Sequence, residues 1–124
     1  MFEIQAESMF SAAHHLLNYE GKCENQHGHN WKVIVSVRGT QLDKANILVD
    51  FKILKKELNN VLEYLDHKDI NELEYFRGKS PSSEMIAKFI FEKMSEKFEN
   101  MYFAAVYETP TSCAKYYGNE KDNK

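Results

Sequence analysis

Apolar and polar positions alternate most regularly from Trp31 to Arg38. Trp31, Val33, Val35 and Val37 share one face, and Lys32, Ile34, Ser36 and Arg38 share the other. That period of two predicts a half-buried strand. An earlier strand is expected over Phe2 to His14, rich in Phe, Ile, Met and Ala but less regular in its alternation. The polar stretch Leu16 to Gln26, with Asn18, Gly21 and Asn25, reads as a loop. A second polar stretch, Gly39 to Asn46, leads to the short apolar segment Ile47-Leu48-Val49. The period then changes. Phe51, Leu54, Leu58, Val61, Leu62 and Leu65 recur at helical spacing behind Asp50, a residue suited to an N-cap. A helix is expected over Phe51 to Leu65. The pattern breaks from Asp66 to Lys79. A second helix is expected to start within Ser80-Pro81-Ser82-Ser83-Glu84, with Pro81 in its first turn and a serine as its cap. Met85, Ile86, Phe89, Ile90, Met94 and Phe98 form its stripe. Two further strands, Tyr102 to Glu108 and Ser112 to Tyr117, flank the turn Thr109-Pro110-Thr111.

The order β-β-α-α-β-β puts hairpin-like pairs at both ends of a helical middle. It predicts an α+β fold: a four-stranded antiparallel sheet with two helices on one face. Such a sheet leaves two exposed edges, which an oligomer joining sheets edge to edge would remove. One domain over residues 1–118 and a polar, frayed tail over 119–124 suit a chain of 124 residues. At 43% hydrophobic and 28% charged residues the composition is that of a folded protein, not a disordered one.

Charge and hydropathy narrow the function. Sixteen basic against 19 acidic residues give a net charge of -3, which argues against general nucleic-acid binding. No apolar run approaches the roughly 20 residues of a membrane-spanning helix. The N-terminus lacks the basic and apolar regions of a signal peptide, and the two cysteines, far apart, make a poor disulfide framework. A cytoplasmic location with reduced thiols is expected, and Cys113, inside the last strand, reads as a buried inert thiol.

Four of the five histidines, His14, His15, His27 and His29, crowd into one short stretch with Cys23 among them. Residues two apart on a strand point the same way, so His27 and His29 would converge on one point if the second strand begins there. Gly28 between them places no side chain on the other face. His14, ending the first strand, supplies a third nitrogen if the two strands pair. A His-x-His pair alone is more often structural than metal-binding; the cluster as a whole favours a metal. Three His ligands around a tetrahedral zinc leave one position open, the catalytic pattern. Cys23 has two competing roles, a fourth ligand closing the site or a nearby thiolate acting as a base. Glu24 beside it is a second acid–base candidate, though a solvated loop carboxylate is the plainer reading. Asp66-His67 pairs a carboxylate with an imidazole whose tautomer it can fix, a pairing of interest only because a metal cluster lies elsewhere. Glu108 ends an apolar strand. It is either an exposed strand-end residue or a carboxylate that accepts two parallel N–H groups from a heterocycle.

Taken in order, Phe10-Ser11-Ala12-Ala13-His14, Cys23-Glu24-Asn25-Gln26-His27-Gly28-His29-Asn30, Val49-Asp50-Phe51, Leu65-Asp66-His67, Pro81-Ser82-Ser83-Glu84 and Glu108-Thr109-Pro110-Thr111-Ser112 resemble one family. It is the family of 6-pyruvoyltetrahydropterin and 6-carboxy-5,6,7,8-tetrahydropterin synthases. The resemblance runs from about Phe2 to Tyr116, and in its details it looks most like the bacterial 6-carboxytetrahydropterin synthases of queuosine (7-deazaguanine) biosynthesis. It implies the tunnelling fold, in which sheets of several subunits join into a barrel, as trimers stacked into hexamers. It implies a zinc ion on His14, His27 and His29, with Cys23 as the proton-abstracting base. Asp66 and His67 would complete the acid–base relay from a neighbouring subunit. Glu108 would anchor the pterin ring, helped by Ser82 and Ser83. The substrate implied is 7,8-dihydroneopterin triphosphate, and the products are 6-carboxytetrahydropterin, acetaldehyde and triphosphate. The 6-pyruvoyl enzyme and a folate-directed variant making 6-hydroxymethyl-dihydropterin are the alternatives. A non-catalytic zinc module, its site closed by one cysteine and three histidines, is the reading from another class. The chain departs from the family pattern at Gln26, Ser82 and His15, the last where arginine is frequent.

Overall fold

The computed structural model describes residues 1–20 and 25–118. Cys23, Glu24 and the 119–124 tail lie outside the described residues. Strand β1 spans Phe2–His14 and pairs antiparallel with β2, His27–Gly39, in an unbroken register from Phe2 opposite Gly39 to His14 opposite His27. Strand β4 (Met101–Thr109) pairs antiparallel with the other edge of β2, and β5 (Ser112–Tyr116) pairs with β4. Between these pairs lie helix α1 (Phe51–Leu62), the two-residue strand β3 (Lys68–Asp69), two short 3-10 turns and helix α2 (Ser83–Ser95).

The fold is α+β as expected, but the sheet has five strands, not four, in the order β3-β1-β2-β4-β5. The addition is β3, which pairs parallel with Ala12 and Ala13 of β1. Two residues carry no alternation to read. The strand exists only because the chain after α1 is tied to β1.

Alternation decides which face is covered. Trp31, Val33, Val35 and Val37 of β2, with Phe10 and Ala12 of β1 and Ala104 and Val106 of β4, are buried under the helices. Helix α1 contributes Leu54, Leu58 and Leu62, one turn apart along a single stripe. Helix α2 contributes Ile86, Phe89, Ile90 and Met94. Asp50 caps α1 by accepting the Lys52 N–H at 2.8 Å. The helix ends at Leu62, short of the expected Leu65. There the ladder tightens into shorter bonds, Tyr64 N–H to Val61 and Leu65 N–H to Leu62. Leu65 is still fully buried, whereas Phe51, placed on the helix stripe by spacing, is 60% exposed. The cap of α2 is Ser82, which accepts the Met85 N–H at 3.2 Å. Pro81 therefore precedes the helix and is not in its first turn.

One expectation about the thiols is corrected. Cys113 is exposed, not packed. It lies across from Tyr107 on the helix-free face, where its neighbouring sulfur pushes the Tyr107 hydroxyl pKa up.

Candidate metal and pterin site

One end of the helix-covered face carries chemistry where the rest carries core. His14 closes the even-numbered face of β1 behind Phe10 and Ala12. His27 and His29 open the odd-numbered face of β2 ahead of Trp31. With His14 opposite His27 and Ala12 opposite His29, three imidazoles meet at the same end of the sheet. Glu108 follows Ala104 and Val106 on β4 at that end. It lies in an irregularity of the β4–β5 pairing, between Tyr107 opposite Cys113 and Thr109 opposite Ser112. An unpaired residue of this kind re-aims its side chain. The Trp31 indole floors the cluster, its ring 4.8 Å from that of His14 and 5.5 Å from that of His29, and its N–H bonds the Ala12 carbonyl.

The tautomers follow from the acceptors. A carbonyl oxygen only accepts, so His14 Nδ1 donates to Pro81 O at 2.7 Å and His27 Nδ1 donates to Asn25 O at 3.0 Å. In the neutral ring each Nε2 then carries no proton and can only accept or ligate. Burial pushes the His14 pKa down, against the opposing pull of the Pro81 bond and of Glu108. His14 is 1% exposed, and its Nε2 and that of His29 are buried with no hydrogen-bond partner among the described residues. Instead they face Glu108, Oε1 at 3.2 Å from His14 Nε2 and Oε2 at 3.6 Å from His29 Nε2.

Lone pairs pointed at one another and at a carboxylate repel unless a cation lies among them. One donor atom from each of His14, His27, His29 and Glu108 lies within 4.8 Å of all the others. These residues could hold a metal ion, and the donor chemistry fits one: neutral imidazoles and a carboxylate suit zinc.

The remaining predicted residues are placed differently. Asp66 and His67 follow α1 beside β1. Asp66 Oδ1 accepts the Ser11 N–H at 2.9 Å, which holds its carboxyl below the usual carboxylate range, and Oδ2 meets His67 Nδ1 at 2.9 Å. His67 adopts a left-handed backbone (φ 58°) that a non-glycine residue takes at a cost, locked by its N–H on the Ser11 carbonyl at 2.6 Å. Its imidazole is 80% exposed. It borders a depression lined by Ser11 to Ala13 of β1 and Gly28 to Asn30 of β2, His29 of the cluster included. The Asp66 and His67 side chains pair with each other at the outer edge of β1, next to the edge strand β3, and His67 is not among the residues whose donor atoms converge on the metal position. Ser83 Oγ stands 3.5 Å from Glu108 Oε1 at the start of α2. The Ser82 hydroxyl is committed to the helix cap. His15 is outside the cluster, bonded through its main chain to Asn71.

Sequence reasoning did not place Glu108 beside the imidazoles. Alternation along β4 puts it on the right face, but only the strand order brings β4 next to β2. The Pro81 and Asn25 carbonyls that orient the histidines carry no signal in residue type, because they are main chain.

A family model described as 6-pyruvoyl tetrahydropterin synthase matches residues 3–119. The chain is 36% identical over 123 residues to a 6-carboxy-5,6,7,8-tetrahydropterin synthase of Synechocystis sp., covering 94% of each chain. It is 32% identical to the 6-carboxy-5,6,7,8-tetrahydropterin synthase of Bacillus subtilis, covering 93% of this chain and 84% of that one. Among solved structures, 6-pyruvoyl tetrahydropterin synthase of Caenorhabditis elegans superposes with a TM-score of 0.84 at 30% identity, covering 95% and 96%. The fold, the placement of the histidines and these likenesses agree: the chain belongs to the 6-pyruvoyl tetrahydropterin synthase family.

Proposed function

We propose that the chain is a zinc-dependent carbon–carbon lyase that converts 7,8-dihydroneopterin triphosphate into 6-carboxy-5,6,7,8-tetrahydropterin, acetaldehyde and triphosphate, as a cytoplasmic step towards 7-deazaguanines. The observation that carries it is the convergence of one donor atom from each of His14, His27, His29 and Glu108 within 4.8 Å, with Nδ1 of His14 and of His27 held by carbonyls. The names of the Synechocystis and Bacillus relatives favour the 6-carboxy product.

When bound, zinc acts as a Lewis acid on side-chain oxygens of the substrate and makes neighbouring C–H and O–H protons more acidic. The protein's residues do the rest. Cys23, close in sequence to His27, takes a proton as thiolate. His67, its Nδ1 held by Asp66, presents its other nitrogen outward and carries protons to and from a bound ligand. Glu108 accepts N–H groups of the pterin ring. Ser83 and the main chain around Ser82 complete that wall.

His67 is 80% exposed and outside the group of donors that could hold the metal, and we infer that it serves the site of a second copy in a homo-oligomer, a hexamer built as two trimers. Sheet edges support it: among the described residues, β1 has no strand on its outer side beyond Ala12 and Ala13, and β5 ends the sheet at the other edge. Among the described residues no helix is long and apolar enough to cross a membrane.

The C. elegans likeness keeps a second reading in play, 6-pyruvoyl tetrahydropterin formation from the same residues. Mass spectrometry of products from 7,8-dihydroneopterin triphosphate decides between them. Acetaldehyde and the 6-carboxy product are expected. Triphosphate release with a 6-pyruvoyl product overturns the lyase reading, and no turnover by the zinc-loaded protein overturns both.

A further inference from the structure

The position of Glu108 against the two nitrogens of each histidine is informative. A carboxylate that merely orients a metal-binding histidine takes the N–H of the nitrogen turned away from the ion. In His14 that nitrogen is Nδ1, already given to the Pro81 carbonyl. Glu108 faces the other nitrogen, the one that would bind the metal. Two ligands each about 2.1 Å from one tetrahedral ion lie about 3.4 Å apart. The Glu108 oxygens lie 3.2 Å and 3.6 Å from His14 Nε2 and His29 Nε2. The carboxylate therefore sits at the spacing of a co-ligand.

It is also lightly held. Its residue lies in the irregular end of the β4–β5 pairing, and its side chain is 31% exposed. Its one hydrogen bond among the described residues, from Ser83 Oγ, is at 3.5 Å, the limit of such a contact. No lysine or arginine among the described residues forms an ion pair with it. A carboxylate with histidines on one side and solvent on the other can change partners without disturbing the core.

We propose that Glu108 is the fourth ligand of the resting metal site, and that an incoming pterin displaces it and then receives its carboxylate as an N–H acceptor. The inference rests on the zinc reading above. It turns the open three-histidine site into one that is closed when idle and opened by its own substrate. The protein keeps the ion tightly between turnovers and still exposes it to the substrate's oxygens.

The test uses the full chain loaded with zinc or with cobalt(II). Zinc-edge X-ray absorption of the resting protein is expected to show nitrogen and oxygen ligands only. Glu108→Gln, which keeps the side chain's shape, is expected to bind zinc at least tenfold more weakly in chelator competition, since even outer groups around a metal cost about 10- to 100-fold. Its cobalt(II) absorption bands should differ from those of the unsubstituted protein at rest. Adding neopterin, a pterin with a hydroxylated side chain, should shift the bands of the unsubstituted protein. A sulfur ligand at about 2.3 Å would give the position to Cys23 and overturn the proposal. So would cobalt bands that superpose with and without the substitution. Bands unmoved by saturating neopterin overturn the displacement. The underlying reading fails separately: if His14→Ala and His29→Ala retain zinc as tightly as the unsubstituted protein, the site is not the metal site, whatever Glu108→Gln does.

Discussion

Two imidazoles anchored to the same strand, His14 on β1 and His67 through Ser11 of β1, are built in opposite ways. His14 is sealed in the core, its Nδ1 proton bound by a neutral carbonyl and its other nitrogen aimed inward. His67 is exposed, its Nδ1 bound by a carboxylate and its ring carried on a left-handed turn. A carbonyl fixes a tautomer without adding charge, and burial keeps the ring neutral, which is what a metal ligand must be. A carboxylate on Nδ1 fixes the tautomer and leaves the other nitrogen turned to solvent, the arrangement that the proposed proton carrier requires. One region has its donors together within a single chain. The other presents its ring to solvent, outside the group of converging donors.

The most severe way to break this contrast is to remove the sealed ring. His14→Ala is expected to lose bound zinc and to lower turnover by at least about a thousandfold, because the Lewis acid goes with it. Metal analysis after gel filtration, with circular dichroism to confirm the fold, checks this. A zinc-replete, active variant would show that His14 is a core residue and no ligand.

The next effect asks whether the two regions cooperate across chains. His14→Ala and His67→Ala are each expected to be inactive. Unfolded together and refolded as a mixture, they should recover about a quarter of the normal sites by random pairing. No recovery from a correctly assembled mixture would mean that each chain uses its own His67.

How much of this was legible in sequence follows the same divide. The sealed site lies on strands whose facing is set by alternation, so the approach of His14, His27 and His29 could be read once β1 and β2 were paired. Even so, β2 begins at His27, ahead of the expected Trp31, because pairing with β1 extends the strand through residues of weak strand preference. Glu108 was assigned to a ligand's N–H groups and not to the cluster, because the adjacency of β4 to β2 is a tertiary fact. The exposed site rests on a turn. Neither the early end of α1, nor β3, nor the left-handed φ of His67 has a pattern in the sequence; all three follow from main-chain bonds to Ser11 and its neighbours.

Asp66 gives a smaller, pH-dependent effect. Its carboxyl pKa is lowered in the fold, chiefly by the Ser11 N–H. A depressed carboxyl contributes stability that is present above its unfolded pKa and lost as pH falls through the folded value. The loss should therefore begin near the ordinary value of 3.8 and continue below it. Asp66→Asn is expected to remove that part of the acid dependence of the urea midpoint. It should also lower turnover by about 10- to 100-fold by releasing His67, while zinc content stays unchanged. A parallel loss of zinc would tie the two regions together more closely than the geometry does.

The smallest effect separates structure from binding at the wall that both His14 and Glu108 touch. Ser82 caps α2 through the Met85 N–H, and the residue before it orients His14. Ser82→Ala should cost about 1 kcal/mol of stability, the ordinary value of a lost N-cap, seen as a lower melting temperature. If the hydroxyl serves only the helix, KM for the pterin triphosphate stays within about twofold, even though the O–H remains free to donate while the oxygen accepts the cap bond. A tenfold rise in KM with an unchanged melting temperature would show the reverse. The hydroxyl would then serve the ligand and contribute nothing measurable to the helix.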